Sequence, residues 1–209
     1  MRHLKLFSLA DVVAMAVIAL GGAGTSSATV LCTSSLSPCP PESKVTTTFD
    51  NAVVADIKSG TSMELRETSS KIFATCTGGT LTFNVSKTGS ATETSVLAVT
   101  GGEAWKGCAI TPRATGSLEI HHVAGTQKGI VTATGVEVTV GTGLGDCTYT
   151  TGTAQEMGVL TPSGMGELAI LKVEALLSWK SGGFCFGQDF LWLAEMMITQ
   201  PKPLYVAAS

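Results

Sequence analysis

A chain of 209 residues with 14% charged side chains, 6% aromatics and a net charge of −3 has room for one or two domains. Its 13 basic residues are scattered without a run of three, which argues against a phosphate-tracking surface for nucleic acid and against a polybasic membrane patch. Disorder is the competing reading of a Ser/Thr/Gly-rich chain, but 44% apolar residues and low net charge favour a packed core, and abundant Thr, Val and Gly favour sheet and turns.

The first element is an export signal. Residues 1–28 read MRHLKLFSLADVVAMAVIALGGAGTSSA, with Arg2 and Lys5 ahead of an apolar run from Val12 to Leu20. Ser26-Ser27-Ala28 then offers the small residues a signal peptidase reads, so cleavage is expected after Ala28. Asp11 sits at the edge of the run rather than inside it. A membrane span needs about 20 apolar residues, roughly twice what is present. Leu31, not a small residue, precedes the first cysteine, which argues against lipoprotein processing. The expectation is a secreted, extracellular protein with no membrane span in its mature form.

Residues 29–44 form a Pro/Ser-rich segment looped between Cys32 and Cys39, and Pro40-Pro41 breaks the chain. Residues 45–209 show no change of composition and read as a single β-sandwich domain. VTTTFDNAVVADI (45–57) carries strand-type residues, and MELRE (63–67) alternates Met63 and Leu65 with Glu64 and Arg66. KIFATC (71–76) and TLTFNV (80–85) flank Gly78-Gly79, which predicts a hairpin. SVLAVT (95–100) is expected to stop at Gly101-Gly102. SLEIHHVA (117–124), GIVTAT (129–134) and GVEVTV (135–140) follow, then a loose loop at Gly141, Gly143 and Gly145. ELAILKVEALLSW (167–179) is rich in helix formers, but reads as a long strand with a bulge between Ile170 and Leu171. DFLWLAEMMIT (189–199) alternates, with Phe190, Trp192, Ala194, Met196 and Ile198 on one face. Pro201 and Pro203 suit an edge. Many short strands with turns between them predict an all-β, antiparallel sandwich or barrel-like fold.

Cys32, Cys39, Cys76, Cys108, Cys147 and Cys185 make an even set in an exported chain, which points to disulfides. Six cysteines allow fifteen connectivities. Two similar blocks bias the choice: Cys76 to Cys108, closing with WKGC, and Cys147 to Cys185, closing with WKSGGFC. Sequential pairing, 32–39, 76–108 and 147–185, is therefore expected, each bond removing roughly 3.5–4 kcal/mol of unfolded-state entropy. No CxxC occurs, so the sequence assigns no metal ligands.

GSLEIHHVAG (116–125) holds the adjacent His121 and His122. On a strand, neighbours point to opposite faces. Leu118 and Ile120 set the buried face, so His122 is expected to tuck inwards and His121 to face out, and the two do not share one ion. No GxSxG elbow is present, and TPSGMG (161–166) reads as a turn. Asp50, Asp56, Glu64, Glu67, Glu119 and Glu137 are candidate carboxylates for glycoside hydrolysis, though most take the polar positions of alternating strands. GTGLG (141–145) lacks the Lys-Ser/Thr of a phosphate loop. Asn84-Val85-Ser86 fits a glycosylation sequon within a strand. Trp105 and Trp179, each near a cysteine, are expected to cover disulfides, and Trp192 to lie in the core. No catalytic residue, cofactor or metal is assigned.

The run from MRHLKLFSLA through SLEIHHVAGT to PKPLYVAAS resembles a group of uncharacterised, exported, Thr/Gly-rich six-cysteine proteins of high-GC soil bacteria. The resemblance implies secretion and a disulfide-bonded β fold, and favours a strand over 167–179. It carries over no catalytic residue. The expected function is a non-enzymatic binding or structural module whose partner is a cell-envelope or extracellular matrix component. The alternatives are a secreted hydrolase with a carboxylate- or His-based site, and a carrier with an apolar pocket lined by Phe190, Trp192 and Met196.

Overall fold

The computed structural model describes residues 28–47, 52–67, 71–88, 95–162, 164, 168–183, 185 and 189–208. Residues 1–27 of the expected export signal lie outside these, as do Asp50 and part of TPSGMG. The described chain is almost entirely strand: β1 (Thr29–Cys32), β2 (Ala52–Ile57), β3 (Met63–Glu67), β4 (Ile72–Cys76), β5 (Gly78–Lys87), β6 (Ser95–Lys106), β7 (Pro112–His122), β8 (Gly129–Gly141), β9 (Asp146–Thr150), β10 (Gln155–Thr161), β11 (Ile170–Ser181), β12 (Asp189–Gln200) and β13 (Tyr205–Ala208).

Pairing runs in a full circle, all antiparallel. β2 and β3 lie end to end along β12, from Gln200↔Val54 to Phe190↔Glu67. On their other side they face β5 and β4, from Ala52↔Asn84 to Arg66↔Ile72. β5, β6, β7 and β8 follow in order. β9 and β10 lie end to end between β8 and β11. β11 then pairs with β12 from Ile170↔Met197 to Ser178↔Asp189 and closes the ring. Counting each end-to-end pair as one, the result is an eight-position up-and-down barrel. Closure leaves no long sheet edge, and it resolves the sandwich-or-barrel alternative in favour of the barrel.

Glycines account for the places where the strands differ from the sequence reading. Gly78-Gly79 is not a hairpin turn: β4 and β5 continue in one direction through Thr77, antiparallel to β3 and β2. GIVTAT and GVEVTV are one strand, bent at Gly135 (φ +61°) opposite a register shift at Gly116 (φ +131°). β6 runs on through Gly101-Gly102 to Lys106. Such kinks let a long strand coil around a barrel. Strand β11 is confirmed but without the expected bulge: Ala169, Leu171, Val173, Ala175 and Leu177 alternate inwards, and Ile170 faces out. The register shift lies instead between Trp179 and Ser181.

Alternation fills the interior. Leu81, Phe83 and Val85 point inwards, as do Val136, Val138 and Val140, and Phe190, Trp192, Ala194, Met196 and Ile198. Lys172, Glu174, Glu137 and Arg113 take the opposite parity. An eight-stranded barrel is just wide enough for side chains to fill it.

Candidate functional site

Each end of the barrel is closed, and the two closures differ. At the end where β7 turns into β8, β1 and β13 form a two-stranded ribbon, Thr29↔Ala208 to Cys32↔Tyr205. Leu31, Val45, Leu204 and Val206 join the barrel's own core as a stopper. Val206 N–H donates to Gln127 O at 3.1 Å, and His122 N–H donates to Thr29 Oγ1 at 2.8 Å. The Cys32–Cys39 disulfide ties this segment into a loop.

The opposite end carries the other two disulfides, Cys76–Cys108 and Cys147–Cys185, so the sequential pairing is the one present. They anchor the loops after β6 and β11. Phe190 plugs this end between Phe73 and Tyr149, with ring centroids 5.1 Å and 4.7 Å away. Ile72 (48% exposed), Leu144 (68%) and Trp179 (48%) project from strand ends and a turn on this side. Trp105 lies over Gly79, where an added Cβ would stand 2.6 Å from its Cε3 atom, and its Nε1–H donates to Glu103 Oε2 at 3.1 Å. Trp179 stands exposed at the rim, in register with Tyr149.

The histidines separate as strand geometry requires. His121 faces out, with Nε2 3.2 Å from Thr132 Oγ1 and 3.6 Å from Glu119 Oε2. A hydroxyl, an imidazole and a carboxylate are thus close, but both partners meet the same ring nitrogen. A nucleophile–base–acid relay needs the carboxylate on the other nitrogen. His122 is not in the core. It lies half-buried beyond Ile120, with Nε2 2.7 Å from Thr126 O.

Of the candidate carboxylates, Asp50 lies outside the described residues, and the others are spread over β2, β3, β7 and β8. Asp56 accepts from Thr80 Oγ1 at 2.5 Å and Thr199 Oγ1 at 3.0 Å. Glu64 pairs with Arg66 at 2.6 Å, and Glu137 with Lys180. Among the described residues, no three of His, Cys, Asp and Glu converge as metal ligands. GTGLG is a hairpin turn between β8 and β9, held by Thr142 N–H to Gly145 O at 2.9 Å. Asn84 and Ser86 of the sequon are exposed and Val85 is buried. The exposed apolar rim was missed in the sequence. Its only signal was that Ile72, Leu144 and Trp179 sit next to turns.

Phe190, Trp192 and Met196 do line the interior, and two apolar gaps among the described residues there measure only about 10 Å³ and about 30 Å³. No described helix is long and apolar enough to cross a membrane. Comparisons with family models, curated proteins and solved structures found no match to this chain.

Proposed function

We propose that the protein is an exported, non-enzymatic module that binds a cell-envelope or extracellular matrix component through its surface. The observation that carries this reading is the filled interior. A small-molecule site ordinarily takes roughly 300–1,000 Å³, against the gaps of about 10 and 30 Å³ here. This weighs against a carrier for a drug-sized ligand and against a buried reaction chamber. The one-nitrogen contacts of His121 weigh against the hydrolase.

The rim of Ile72, Leu144 and Trp179 is the surface best suited to contact, because two disulfides hold its loops in place. Three disulfides fit an oxidising compartment. Export through residues 1–28, with cleavage after Ala28, and kinship with secreted soil-bacterial proteins belong to the same reading. An apolar inside with charges outside is the reverse of a membrane-spanning barrel, which supports a mature form without a span.

Sedimentation of the purified protein with insoluble cell-wall and matrix material tests the proposal. Retention that weakens in Trp179→Ala is expected. Failure to bind any such material, together with a hydrolase activity lost in His121→Ala or Glu119→Gln, overturns it.

A further inference from the structure

The two interior gaps share Phe83, Leu118, Val131 and Leu171 in their walls, so they adjoin. The smaller is also bordered by Trp192. That residue is 3% exposed, and its Nε1–H has no hydrogen-bond partner among the described residues. An indole nitrogen only donates, and leaving a buried donor unpaired is costly. The surrounding wall of Leu81, Ala114, Val136, Met157 and Val173 offers one weak acceptor, the Met157 thioether. A water molecule needs about two to four polar partners, which this wall does not supply.

We propose that the adjoining gaps receive a small apolar guest with a single hydrogen-bond acceptor, its oxygen held by the Trp192 indole N–H. A gap of roughly 10–15 Å³ on this measure holds one water, so the guest has about three or four non-hydrogen atoms, the size of a short ketone or alcohol. Met157 and Met196, unbranched and adaptable, line the interior and give way to it. With both barrel ends stoppered, entry requires transient opening, so exchange is slow. This interior site is separate from the surface binding proposed above and stands or falls without it.

The test uses the disulfide-bonded protein with ¹⁵N-labelled tryptophans, titrated with acetone and, separately, exposed to xenon, which has no acceptor. Trp105 and Trp179, outside the gaps, serve as internal controls. The expected result is a second Trp192 indole resonance that grows in and saturates with acetone at the expense of the first, while the Trp179 resonance shows no saturable change. Trp192→Phe should weaken acetone about 10-fold, with xenon binding, read from the Leu118 and Val131 methyl signals, changed less than about 2-fold. A Trp192 resonance that gains no second, saturating peak or only drifts linearly, or equal acetone affinity in Trp192→Phe, overturns the proposal. If that variant does not fold, saturation of the wild-type resonance decides alone.

Discussion

The Tyr149 ring meets the Phe190 ring edge-on, with centroids 4.7 Å apart and planes at 76°. Edge-to-face pairs place a positive ring edge on a negative face. The arrangement keeps Tyr149 1% exposed. Burial pushes its hydroxyl above the ordinary value of about 10, and the negative charge of Glu67 adds to the rise. The folded state therefore holds the proton more tightly than the unfolded chain. The resulting stability is fully present below about pH 10 and is lost as pH rises through the folded-state value. Urea unfolding at pH 8 and pH 11 should reveal a loss of up to about 1.4 kcal/mol per pH unit above pH 10. Tyr149→Phe should flatten that slope, and an unchanged slope would remove Tyr149 from the explanation.

Gly158 lies against the backbone of β11. A Cβ added there would stand 2.0 Å from Lys172 O and 3.2 Å from Val173 Cα. Neither is a flexible side-chain end, so β10 must move away from β11 to admit even a methyl group. Gly158→Ala should cost about 1–3 kcal/mol of unfolding free energy. It should also raise amide exchange in β10 and β11 more than in β6 and β7. A neutral substitution would mean that these strands slide without cost.

The disulfides should differ in what they contribute. Cys147–Cys185 spans 38 residues, Cys76–Cys108 spans 32 and Cys32–Cys39 spans 7. Loop-closure entropy then gives about 4 kcal/mol for each long loop and about 2.5 kcal/mol for the short one, below the sequence expectation for that bond. Paired Cys→Ala variants compared by chemical denaturation should reproduce that order. Removing Cys32–Cys39 should also expose the stopper, read as faster amide exchange at Val206 and His122 than elsewhere in the barrel.

Ala28 is 5% exposed and Thr29 0%, and Thr29 pairs with Ala208. A peptidase needs its scissile bond extended and free of the substrate's own ladder. Under the proposed export reading, cleavage after Ala28 must therefore precede docking of β1. Treating reduced, unfolded precursor with signal peptidase should yield a chain beginning at Thr29 by mass spectrometry, whereas folded precursor should stay uncut at that bond. Rapid cutting of the folded form would show that β1 leaves the ribbon readily.

The local patterns in the sequence were enough to assign an all-β chain, the inward faces of Leu81–Val85, Val136–Val140 and Phe190–Ile198, and the sequential cysteine pairs. Side-chain parity is a property of neighbouring residues, so it is written in the chain itself. The histidines were half legible: opposite directions followed from that parity, but the position of His122 beyond the last core layer did not. Closure, by contrast, depends on which strand accepts hydrogen bonds from which, and that is not local. Gly78-Gly79 and Gly135 permit either a turn or a bend, and the choice fell to the partners β2, β3 and β7. Likewise, only the pairing of β12 with β2 and β3 turns a run of strands into a barrel. That ring decides how much room remains around Trp192 and leaves Trp179 at the rim.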